Sequence, residues 1–196
     1  MSCIRKVQIG DTIYDADVEF RTILRCNEIS SDNSIGDYER VLAILYTIFG
    51  DKALEKNHFK NHEKLLKWAL NYISCGNEIE QTSNEKPDMD YIEDMDYIEA
   101  SFMSDYQIDL ENTEMEWHKF YNLINGLSNS EFGNCCVLNR IRNLRNFDVS
   151  QIKDDKERSK IIEAKKQVEL KKNKAEAHLT KEQEESMKKL NEMLGF

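Results

Sequence analysis

Chain breakers are scarce in this sequence, with one proline and seven glycines among 196 residues. All-β and α/β folds need frequent turn chemistry, so the shortage, joined to a 33% charged composition, predicts a mostly helical chain. Long apolar runs are missing as well. No stretch approaches the roughly 20 residues that span a bilayer, and the opening MSCIRKVQIGD has no signal-peptide core. A soluble, intracellular protein without a membrane role is the expectation. The five cysteines (Cys3, Cys26, Cys75, Cys135, Cys136) are odd in number and unpaired in spacing, which argues against a secreted disulfide framework and predicts reduced thiols. Phosphate-cradling and nucleophile motifs are also lacking: there is no G-x-G-x-x-G, P-loop, G-x-S-x-G or HExxH. No catalytic residue, metal site or cofactor is expected.

Basic residues are short in one place only. The net charge is −10, and residues 77–116 hold 14 acidic side chains against a single lysine, so the rest of the chain is close to neutral. Affinity for nucleic acid comes largely from Lys and Arg displacing counterions, so an acidic body without an extended basic face is a poor nucleic-acid binder. Charge steers it instead toward basic partners.

What is present is amphipathic helix. Asp88–Leu127 opens with the hexapeptide DMDYIE written twice in succession. Tyr91, Met95, Ile98, Phe102 and Tyr106 keep helical spacing, which predicts one long helix with an apolar stripe and carboxylates around it. Thr113 and Glu116 have the form of a capping box, predicting a second helix with Trp117, Phe120, Tyr121, Ile124 and Leu127 inward. Such a hairpin must be covered by the rest of the chain or by a partner.

Along the chain, Val7, Ile9 and Ile13 flank Gly10-Asp11 in the pattern of a small N-terminal β-hairpin with Ile13 on the apolar face. Asp15 or Asp17 caps a helix through about Cys26, holding Phe20, Ile23 and Leu24. Asp37 caps the most regular helix, stopped by Gly50, and Leu65–Ile73 belongs to another ended by Gly76. The predicted fold class is therefore mostly α. Residues 1–150 form a helical domain with the β-hairpin and an acidic connector at about 77–87. Residues 151–196 form a charged, extended helical C-terminus, where Thr180 and Gln183 precede the stripe Met187, Leu190, Met193 and Leu194.

Several clusters carry weighable chemistry. His58 and His62 can share a helix face, but with no third ligand nearby they read as solvated histidines on a lysine-rich segment. The carboxylates from Asp88 to Glu99 lack the glycine an EF-hand loop needs, so they read as a solvated face or a docking site for a basic partner. Vicinal Cys135 and Cys136 point about 100° apart on a helix, one inward and one partly exposed. Arg140, Arg142 and Arg145 are expected to pair with acids of the 77–116 segment. Candidate partner-binding residues are Asp90, Glu93 and Asp94 in the acidic hairpin and Met187, Leu190, Met193 and Leu194 at the terminus, since Met-rich stripes adapt to helical partners.

The order IYDADVEFRTIL, a helix ending in IFG, LLKWALNYISCG, the segment DMDYIEASFMSDYQIDLENTEMEWHKFYNLINGL and then FDVSQIKDD resembles the bacteriophage "gene product fifteen" family of Firmicute phages and prophages. The likeness covers about Ile13 to Lys172. The hexapeptide duplication departs from the family pattern, as does His118, where relatives often carry a second tryptophan. The resemblance implies a non-catalytic tail morphogenesis protein, similar in role to tail assembly chaperones. Its partners would be the tape-measure protein and tail-tube subunits. It would act in the cytoplasm of the bacterial host, be left out of the finished virion, and possess surface for a possible homo-oligomer. The competing expectation is an acidic inhibitor or decoy that occupies a host protein's nucleic-acid site.

Overall fold

The computed structural model describes residues 3–32, 34–76, 86–129, 135–171 and 173. The chain forms two compact units, Met1–Ser83 with Phe102–Leu127, and Asn84–Ser101 with Ser128–Phe196. Among the described residues it is mostly helical with a single antiparallel hairpin, as the scarcity of chain breakers predicts.

The first unit begins with β1 (Ile4–Ile9) and β2 (Thr12–Asp17), joined at Gly10-Asp11, where Gly10 takes φ 61°. Cross-strand partners share a face, and Val7 opposite Tyr14 sets the buried one. Ile13 lies opposite the exposed Gln8 and is itself 49% exposed, so the expectation that it resumes the apolar face is corrected by one position of strand parity. Helix α1 (Phe20–Ser31) is capped by Glu19, whose carboxylate accepts from the Arg21 N–H at 2.7 Å. Asp17 supports that cap instead of forming it: it accepts from the Glu19 N–H and from the Thr22 hydroxyl.

Helix α2 (Asp37–Phe49) has Gly36 and not Asp37 at its N-cap, with Asp37 in the first turn; it buries Ile44, Leu45, Ile48 and Phe49, and stops at Gly50 with φ 66°. A short α3 (Asp51–Leu54) and a 3-10 segment (Lys56–Asn61) lead into α4 (His62–Ile73), which buries Leu65, Ala69 and Tyr72.

Two expectations about Asp88–Leu127 are revised. The long helix is shorter: α5 runs Met95–Tyr106, and the first DMDYIE copy is a turn. The second helix of that hairpin, α6 (Trp117–Asn125), does not use the Thr113 capping box. The chain before it is extended, and Glu116 bridges to Glu19 through N–H bonds from Phe20 to Met115 O and from Trp117 to Val18 O, each 2.9 Å. The Glu116 carboxylate is taken by the Tyr72 hydroxyl at 2.7 Å and by Arg5, so it has no reason to turn back on its own helix. The apolar stripe of α6 is core. Phe120 stacks on Phe20 at 4.4 Å and on Phe102 at 5.5 Å, while the Trp117 indole donates to Ile73 O at 2.9 Å.

The second unit contains the hexapeptide region, the start of α5, α7 (Val137–Asn146), a 3-10 turn (Val149–Gln151) and α8 (Asp155–Val168). Cys136 caps α7, its Sγ accepting from the Asn139 N–H, and the Leu138 N–H donates to the buried Ser101 hydroxyl at 2.9 Å. Asp154 caps α8, a helix with no buried residue. Residues 151–170 belong to the same unit as 135–150. Among the described residues, no helix is long and apolar enough to cross a membrane.

Candidate interaction site

The duplicated hexapeptide builds the second unit by supplying the same aspartate twice. Asp88, first in one copy, accepts from Arg142 Nε at 3.2 Å and from Asn146 at 3.0 Å. Asp94, first in the other, takes Arg145 with both oxygens, at 2.6 and 2.7 Å. Arg145 also donates to Val168 O at 2.6 Å and to Asp88 O at 2.8 Å, so one guanidinium ties α7 to the hexapeptide turn and to the end of α8. Two of the three arginines thus find acids of the 77–116 segment, as expected, while Arg140 stays exposed. The two copies diverge in burial as well: Ile98 is 0% exposed, whereas its counterpart Ile92 is 44% exposed.

The proposed contact residues fall in different environments. Asp94 is fully buried and spends its carboxylate on Arg145, because an ion taken out of water is tolerated only when paired. It faces no partner in this arrangement. Asp90 closes the turn: its Oδ1 accepts from the N–H groups of Ile92 and Glu93 at 2.8 and 3.0 Å. Glu93 is exposed and accepts from the Lys171 N–H at 3.0 Å. Asp96 and Glu99 are exposed on the next turns of the same element. Met187, Leu190, Met193 and Leu194 lie outside the described residues.

Beside the ion pairs is a groove of about 420 Å³. Pro87, Val149 and Ile162 give it apolar walls, and Lys86, Lys165 and Lys166 give it a basic rim. Lys165 donates to Phe147 O and lies near Asp148, whose carboxyl is held below the usual carboxylate range mainly by the Ser150 N–H and hydroxyl. No contiguous motif marks this groove in the sequence. Its one local signal is the Lys165-Lys166 doublet a turn after Ile162 on a helix whose apolar edge is narrow.

In the first unit, the histidines prove to be structural rather than solvated. Tyr14 OH lies 2.7 Å from His58 Nδ1 and 2.8 Å from the Asn61 amide, and His62 Nε2 is 2.8 Å from Ala53 O. Among the described residues, no group of three or more His, Cys, Asp or Glu side chains is placed to hold a metal ion. The vicinal cysteines divide as expected, Cys136 buried and Cys135 half-buried.

Comparison with curated proteins and with solved structures gives no match. The family described as Bacteriophage Gp15 protein matches residues 2–170, and this chain belongs to that family.

Proposed function

We propose that this chain is a non-catalytic phage tail morphogenesis protein, acting as a tail assembly chaperone that binds the tape-measure protein and tail-tube subunits before they polymerise. The observation that carries the reading is family membership over residues 2–170. The contact surface is not the stripe of the acidic hairpin, because Ile98, Phe102, Trp117 and Phe120 are all buried. Contact falls instead to the exposed carboxylates Glu93, Asp96 and Glu99, which suit basic segments of a partner, and to Met187, Leu190, Met193 and Leu194, whose spacing suits a helix laid in a groove.

Removing this reading frame from the phage, with every other gene intact, tests the role. The expected outcome is tape-measure protein in the insoluble fraction and no assembled tails. Normal tails in the deletion strain would overturn the reading. At the level of residues, Leu190→Asp with Leu194→Asp is expected to weaken partner binding while leaving thermal unfolding nearly unchanged. A large drop in melting temperature would assign those leucines to the chain's own core.

A further inference from the structure

The groove of the second unit carries the sign opposite to the molecule around it. In a chain of net charge −10, Lys86 is the one basic residue of the 77–116 stretch, and it meets Lys165 and Lys166 of α8 at a single rim. Neither Lys86 nor Lys166 has an ion pair or hydrogen bond among the described residues, and both are exposed. The fourth cation on the wall, Arg145, is committed to Asp94 and to two backbone carbonyls. Unneutralised lysines brought together repel one another. Glu169 also lines the groove and offsets part of this charge, but three lysines against one carboxylate leave the rim net positive, and a carboxylate bound between Lys86 and Lys166 relieves the remaining repulsion.

Two further features narrow the ligand chemistry. Pro87, Val149 and Ile162 offer aliphatic surface between the ammonium groups. Asn173, only 7% exposed and also lining the groove, donates through Nδ2 to Pro87 O at 3.1 Å but leaves Oδ1 without a donor. A buried acceptor left unmet costs about 1–3 kcal/mol; this oxygen is closed to solvent, so a ligand N–H meets it only when the Asn173 amide turns toward the groove. Carboxylates for the lysines, an aliphatic side chain for the walls and N–H donors together describe a polypeptide. A nucleic-acid strand brings phosphates but no aliphatic group for Val149 and Ile162, and the overall negative charge opposes it.

We propose that this groove docks an acidic, amphipathic segment of a partner polypeptide, with its carboxylates on Lys86 and Lys166 and its apolar side chain against Val149 and Ile162. The groove shares no residue with the carboxylate and terminal sets named above, and the proposal stands whether or not the occupant is a tail protein.

The test uses the full chain and fluorescence anisotropy with a labelled helical peptide of glutamates and leucines, the leucines three and four apart. Two controls are the same peptide with lysine for glutamate and a single-stranded oligonucleotide. The Glu/Leu peptide is expected to bind, to weaken as salt rises, and to lose about tenfold in affinity with Lys86→Glu plus Lys166→Glu. Both lysines are exposed, so the double variant is expected to melt with wild type; Lys86→Gln plus Lys166→Gln gives a milder second version with a smaller loss. Ile162→Ser is expected to weaken the peptide without changing its salt dependence. Failure of the Glu/Leu peptide to bind, equal affinity in the charge-reversed variant, or preference for the lysine peptide would overturn the proposal. Stronger, variant-sensitive binding of the oligonucleotide would replace it with a nucleic-acid site.

Discussion

Asp94 and Arg145 meet through both oxygens and both terminal nitrogens, at 2.6 and 2.7 Å, with side-chain exposures of 0% and 9%. Removing one partner leaves the other charged and buried. Arg145→Met is therefore expected to destabilise the protein by about 3–5 kcal/mol in urea unfolding. Arg145→Lys should recover little, since a single ammonium cannot reproduce the fork that also holds Val168 O and Asp88 O. Adding Asp94→Leu to Arg145→Met should restore part of the loss, though the two carbonyls and the Asp90 N–H, which Asp94 accepts at 3.0 Å, stay unmet. A double variant no better than the single one would show that the buried carboxylate is not the source of the cost.

The Tyr14 hydroxyl stands between two groups with opposite needs. It accepts from the Asn61 amide at 2.8 Å and shares a second hydrogen bond with His58 Nδ1 at 2.7 Å, which the hydroxyl donates when the imidazole carries its hydrogen on Nε2. Tyr14→Phe keeps the ring packed against Phe49 and strips both bonds. With Asn61 buried, the expected loss is about 1–3 kcal/mol in thermal or urea unfolding. No change in stability would mean that the triad contributes nothing net.

Burial pushes the Cys26 thiol up from 9.0 to about 12, with Asp17 adding to it. Thiolate is the nucleophile, so Cys26 should resist alkylation of the native protein at neutral pH and label only on unfolding. Cys136 is buried too, while the half-buried Cys3, Cys75 and Cys135 should label before either. The shift also has a sign in stability. Between pH 9 and 12 the unfolded chain releases a proton that the folded chain keeps, so stability present below pH 9 is lost as pH rises through that window. Cys26→Ala should flatten that slope, which alkaline melting curves would show; an unchanged slope would assign the loss to other groups.

Local signals were legible where the cause is local. Gly10-Asp11 marks the hairpin turn and Gly50 the end of α2 because each glycine takes a positive φ. Phe20, Phe120, Trp117 and Leu65 keep helical phase, and that phase shows in their burial. The departures share a different cause. Two identical hexapeptides adopt a turn and a helix start, and no local rule separates them. What separates them is a guanidinium 51 positions from Asp94. Glu116 leaves its capping role for Tyr72 and Arg5, 44 and 111 positions away, and His58 leaves solvent for Tyr14, also 44 away. The lysine groove draws on Lys86, Val149 and the Ile162–Lys166 turn, so its charge is dispersed in sequence and gathered only by folding.

Co-expression with the full-length tape-measure protein, followed by size-exclusion chromatography with light scattering, tests the central claim most directly. The account predicts a soluble complex containing both chains, formed at the expense of tape-measure aggregates. Tape-measure protein that pellets equally with and without this chain, while the chain elutes alone, would contradict it.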